Sequence, residues 1–276
     1  MPYPETFWRR RLRHGIAFLV LLAIACAMVW VQHSQLTDTG FTTGYALLIA
    51  IGILASYSLK KRLSFLRFLG TSSGWLHFHV YLATGTVVFF LIHIGFRMPQ
   101  GILEQILAVL FMSVSCSGFV GLYITRSYPR KLAATKQEYL FESIPVERMK
   151  VMLHAESIVL TNSHNSTTLG DFYRDRLLPF FALPRSVWYL AFPNGRLRRT
   201  LMLELRNLDR YLPTDQRPAA QALGRLIQNK DDIDFHFALQ GQLKLWLFFH
   251  IGCTVALIGV ALIHTVLVHL FDGGAL

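Results

Sequence analysis

Apolar residues gather in long unbroken runs through the first 125 positions, and one more run closes the chain. They cover 15–31, 42–59, 75–96, 102–124 and 243–271, each close to the roughly 17–25 residues that a membrane-spanning helix needs. Between 126 and 242 the pattern changes. Apolar residues there recur at helical spacing over 146–161, 199–212 and 214–229. Thr168 or Ser166 offers a cap for a helix through 171–181, and Pro179, Pro184, Pro193 and Asn194-Gly195 punctuate the middle. The pattern predicts an all-α protein: a polytopic membrane helical bundle of five spans with a soluble, mostly helical insert. It divides into spans one to four (1–125), the insert (126–242), and span five with a short tail (243–276).

Two of these runs carry paired histidines. His79 and His93 lie fourteen residues apart in the third run, and His250 and His264 fourteen apart in the fifth. Fourteen residues is close to four helical turns and about 21 Å of rise, so both members of a pair leave nearly one face. A hydrogen-bonded structural histidine, or one lining a pore, is the ordinary explanation of a single such residue. Polar groups within a bilayer are costly, however, and mark functional sites, and two matched pairs are harder to explain as packing. One metal ion cannot be shared along either helix at that distance. Two helices that each offer an imidazole near either membrane face can clamp two flat cofactors stacked across the bilayer. This is the ligand set of a transmembrane dihaem cytochrome b, with His79, His93, His250 and His264 as axial metal ligands. His77 and His269 are rivals without a partner at the matching spacing, and both read as interface residues.

Composition narrows the choice. The 276 residues are 53% hydrophobic and 16% charged, as expected of a polytopic membrane protein. The net charge of +11 does not argue for nucleic acid. The basic residues cluster beside apolar runs, where they set topology and meet anionic lipid. Cys26, Cys116 and Cys253 all lie in apolar runs and none belongs to a CxxC motif. Iron–sulfur clusters and covalently attached haem are therefore unsupported, and the two haem b groups would be non-covalent. The insert shows no GxGxxG, P-loop or CxxC.

Lys and Arg are abundant before the first run, in 60–74 and in 126–242, and absent from 33–41 and 98–101. The positive-inside rule then places the N-terminus and the insert in the cytoplasm of a bacterial-type inner membrane and Phe271–Leu276 outside. A cleaved signal peptide is the alternative reading of the first run, and it leaves the other four unchanged. In this orientation His79 and His250 form the inner pair, and His93 and His264 the outer. Haem propionates would be drawn to cations at the membrane faces: Arg97 outside, Arg67 or Arg126 inside. Each of these arginines also reads as a plain topology signal. His154, His164 and His236 read as ordinary surface or interface residues.

Histidine pairs on spans three and five, with both helices running outward from the cytoplasm, resemble the transmembrane core of the ferric reductase and NADPH oxidase family. The likeness covers roughly 42–125 and 243–271. It implies the same four ligands: His79, His93, His250 and His264. That family usually continues into a sixth span and a flavin- and nicotinamide-binding domain, whereas this chain stops after span five and carries a large insert before it. The expectation is an electron-transfer subunit of a larger oxidoreductase complex, with other redox subunits, and quinone as a further candidate, as partners. The alternatives are a quinol/quinone oxidoreductase with its own pocket, and a non-redox haem-handling or scaffold membrane protein that docks partners on the insert.

Overall fold

The computed structural model describes residues 15–31 (except 17, 21, 24 and 28), 39–62, 72–135, 137–162 and 167–271. Within these the chain is all-helical: α1 Thr39–Arg62, α2 Ser72–His93, α3 Ile102–Leu132, α4 Ile144–Asn162, α5 Thr167–Phe172, α6 Leu178–Ala182, α7 Val187–Ala191, α8 Arg196–Asp209 and α9 Arg217–Phe271. A π-helical turn, Tyr173–Leu177, joins α5 to α6. Three helices are long and apolar enough to cross a membrane: Gly74–His93, Ile102–Leu132 and Arg217–Phe271. Shorter apolar stretches, Phe18–Val31 and Gly40–Ser56, fall where the other two spans are expected. Arg67, His164, the arginines before residue 14 and the tail after Phe271 lie outside the described residues.

The fifth apolar run does not begin its own helix. The expected separate helix at 214–229 is instead the start of α9, which continues unbroken through residue 243 to Phe271. Leu243 is thus a change of polarity within one helix, and 243–271 is the part that can lie in the bilayer. The chain forms two compact units, 1–118 with 250–276, and 119–249; the second extends beyond the 126–242 insert at both ends.

In the first unit, Leu47 of α1, Phe90 of α2, Phe111 of α3 and Leu257 of α9 form one buried cluster. The Phe90 and Phe111 rings stack with centroids 4.2 Å apart. His250, Thr254, Leu257, Ala261, His264 and Val268 follow one another at intervals of three and four, and each is less exposed than its immediate C-terminal neighbour except where two partly buried residues adjoin. That spacing makes one stripe of the helix its protein-facing side. α2 ends in a Schellman motif: Gly95 N–H donates to the Ile92 carbonyl (3.0 Å) and Phe96 N–H to the Leu91 carbonyl (3.0 Å). Gly95 supplies the left-handed φ of +59° that this closure requires. The helix therefore stops just after His93.

The second unit is built around a core of Ile144, Leu177, Leu201, Leu223, Ile227 and Ile233, all nearly inaccessible. It also buries charge. Asp234 accepts hydrogen bonds from Arg148 Nε (2.9 Å), Arg185 Nε (2.8 Å) and Lys230 Nζ (2.6 Å), and Asp231 accepts from Arg185 (2.6 Å). Burial lowers the Lys230 pKa and raises that of Asp231, each opposed by its ion-pair partners. In the same unit, Gly121 of α3 lies against the Trp246 ring with no room for a Cβ.

Candidate functional site

The four histidines expected as ligands fall on the protein-facing sides of their helices, and none is fully exposed. His79 and His250 lie within electrostatic range of each other, as do His93 and His264. These are the pairs expected from depth in the membrane. His77, the rival on α2, is exposed. The second rival, His269, is also exposed and hydrogen-bonded: its Nδ1–H donates to the Thr265 carbonyl (2.7 Å), which leaves Nε2 to accept from the Tyr45 hydroxyl (2.6 Å).

Two hydroxyls determine how the paired histidines present themselves. Thr43, buried on α1, donates its hydroxyl proton to the Gly40 carbonyl (3.2 Å) and lies 2.9 Å from His93 Nδ1. With that proton committed, Thr43 Oγ1 accepts from His93 Nδ1–H. Ser117, buried on α3, repeats the arrangement: its hydroxyl donates to the Val114 carbonyl (2.8 Å) and its oxygen meets His250 Nδ1 at 2.6 Å. In both rings the proton then sits on Nδ1, and the Nε2 lone pair is the one available to a metal. A ligating histidine characteristically donates its other N–H to such a partner, which fixes both tautomer and ring orientation. His79 has the Leu54 backbone as a polar neighbour.

Glycine allows the close approach at the outer pair. A Cβ on Gly44 would stand 3.2 Å from His93 Cε1. Beside His93 and His264 opens a cavity of about 660 Å³ with walls from Leu47, Ile51, Phe90, Leu107, Phe111 and Leu257. That volume is within the range of about 300–1,000 Å³ typical of small-molecule and cofactor sites. Tyr45, Glu104, His269 and Arg97 add the polar part of the lining. Of the arginines expected near propionates, Arg97 thus shares a cavity with the outer pair. Arg126 is exposed on α3 in the second unit.

No family model, characterised protein or solved structure matches the chain. Its own residues must therefore carry the functional reading. Among the described residues no three His, Cys, Asp or Glu side chains gather as a metal-ion cage, so the histidines stand in twos. His93 and His250 each turn Nδ1 toward a buried hydroxyl, and His93 and His264 lie beside an apolar cavity with Arg97 in its lining.

Three features escaped the sequence. Nothing in the sequence singled out Thr43, Tyr45 or Ser117 as partners of histidines. His236, expected at a surface or an interface, lies in the interior of the second unit. It is 2% exposed, takes a hydrogen bond at Nδ1 from Gln240 (3.3 Å), and donates from Nε2 to Thr135 Oγ1 (2.6 Å). Burial lowers its pKa, against the opposing influence of Asp232 and Glu138.

Proposed function

We propose that the chain is a membrane cytochrome b subunit of five spans, N-terminus cytoplasmic and C-terminus outside, in a bacterial-type inner membrane. It would carry electrons across the bilayer within a larger redox complex, through two non-covalent, bis-histidine b haems. His79 and His250 would hold the inner haem, and His93 and His264 the outer. When bound, haem would supply one-electron chemistry. The chain's part is to offer Nε2 from each ring, hold Nδ1–H through Thr43 and Ser117, and keep water out with the apolar walls around Phe90, Phe111 and Leu257. Arg97 would balance an anionic edge at the outer site.

The observation that carries this reading is the repeated hydroxyl contact. Two histidines from different pairs, on different helices, each have Nδ1 engaged by a buried hydroxyl at 2.9 and 2.6 Å. A histidine that served only packing would have no need of one tautomer twice over. The test is a pyridine haemochrome assay on intact, fully loaded protein with a reduced-minus-oxidised spectrum. Two b haems per chain are expected; one or none refutes the proposal.

A second reading draws support from the outer cavity, where Glu104 and the hydrogen-bonded Tyr45–His269 couple supply the few polar groups that a quinone site needs within an apolar cleft. Haem reduction by quinol without any partner subunit would favour an enzyme in its own right. Failure of quinol to reduce the haems would leave the conduit.

A further inference from the structure

Around α7, in the second unit, several large apolar side chains are left open. Val187 is 80% exposed, Trp188 78%, Phe192 70% and Leu183 61%. The next residues are basic: Arg196 and Arg199, both exposed, flank the start of α8, whose first turn holds no acidic residue. Tyr189, by contrast, is buried, with the Arg185 guanidinium 4.8 Å from its ring centre.

What covers this surface is indicated by where α7 is fastened. Gln242 donates from Nε2 to the carbonyls of Leu190 and Ala191, the latter at 3.0 Å. Its Oε1 accepts from the Tyr128 hydroxyl of α3. Gln242 is the last residue of α9 before the apolar run begins at Leu243. Just beyond it, Leu245 and Phe248 are 71% and 80% exposed, as lipid-facing residues are in the absence of lipid. On α3, Lys131 lies 5.9 Å from the Tyr123 ring and 5.6 Å from the Tyr128 ring, an aromatic and basic grouping characteristic of membrane–water interfaces. The α7 carbonyls are thus tied at the depth where the spans leave the hydrocarbon.

We infer that the segment 183–199 is an interfacial anchor. Trp188, Val187 and Phe192 enter the boundary between headgroups and acyl chains, and Arg196 and Arg199 meet anionic headgroup phosphates. The inference rests on reading 243–271 as a span. A protein partner would also cover apolar side chains, but the direct bonds from Gln242 make this surface continuous with one that lipid already wets.

The test uses the full-length chain in its native membranes, with photo-reactive benzoylphenylalanine placed singly at Trp188, Phe192, Phe248 or Tyr211. Phe248 lies within the apolar run. Tyr211 is 84% exposed on the same unit, just past the far end of α8 from Arg196 and Arg199. Mass spectrometry after irradiation is expected to find phospholipid adducts at 188, 192 and 248 and none at 211. Adducts at 248 without any at 188, or a protein adduct in place of lipid at 188, overturn the anchor while leaving the span intact. No lipid adduct at 248 overturns the span reading itself, and the anchor with it. Equal lipid labelling at 211 also overturns the inference, because the contact would then be unspecific.

Discussion

Replacing Ser117 with alanine isolates the device on which the proposed haem ligation depends. The change removes one oxygen from a buried position and leaves the His250 Nδ1–H, 2.6 Å away in the native chain, without its acceptor. Val114 loses only a side-chain donor to a carbonyl within α3. Loss of a partner behind a metal ligand typically costs 10–100-fold in affinity, equivalent to about 1.4–2.8 kcal/mol. An interhelical hydrogen bond in a membrane contributes only about 0.6 kcal/mol to bundle stability on average. The two magnitudes separate the roles. A ligand-orienting serine should weaken the inner haem by one to two decades while hardly altering the thermal midpoint of the apoprotein. The ring would also become a weaker donor, so the midpoint potential of the inner haem should rise. Ser117→Thr, which keeps the hydroxyl, should restore both. Haem retention during dilution, with a potentiometric titration at the b-band, makes the measurement. A Ser117→Ala variant that holds both haems with unchanged affinity and potential, or that weakens the outer haem instead, would refute this role for Ser117.

Three further outcomes follow from the same geometry. His79→Ala or His250→Ala should remove the inner haem signal and spare most of the outer, His93→Ala or His264→Ala the reverse, and His77→Ala neither, as read from haemochrome stoichiometry. Gly121→Ala drives a methyl group into Trp246 and should destabilise the chain by about 1–3 kcal/mol; a thermal midpoint equal to wild type would contradict the packing. His236 has a folded pKa below its ordinary value of 6.5 because of burial, so the unfolded chain binds the extra proton more readily. Stability from this residue is therefore complete above about pH 6.5 and is lost as the pH falls toward the folded value; hydrogen-exchange protection near 132–140 and 232–240 should drop from pH 7 to pH 5, and less so in His236→Gln.

The long apolar helices were legible from the length of the apolar runs, and the histidine pairs stood out because fourteen residues is nearly a whole number of turns. Where α9 begins was not legible. The run Gln240-Gly241-Gln242 marks a change of polarity, and in a sequence that looks like the end of an element even where the helix runs on. Thr43 and Ser117 were beyond reach for a different reason. They lie 50 and 133 residues from the rings they orient, and each also bonds its own helix backbone, as the uninvolved Thr254 and Thr265 do. His236 carried no periodic signature, since its burial comes from Thr135 and Tyr139 arriving from outside its helix.

The ion network around Asp234 bears on how the second unit comes apart. Its members come from α4, the segment before α7, and α9, separated by 86 and 49 residues along the chain. If any one segment peels away, charged groups remain in a low-dielectric interior without their partners, a loss of about 3–5 kcal/mol for a broken buried pair. Partial opening is thereby penalised more heavily than the few contacts of each segment would suggest. The unit should melt in a single all-or-none step, with no stable half-open form for a protease to find.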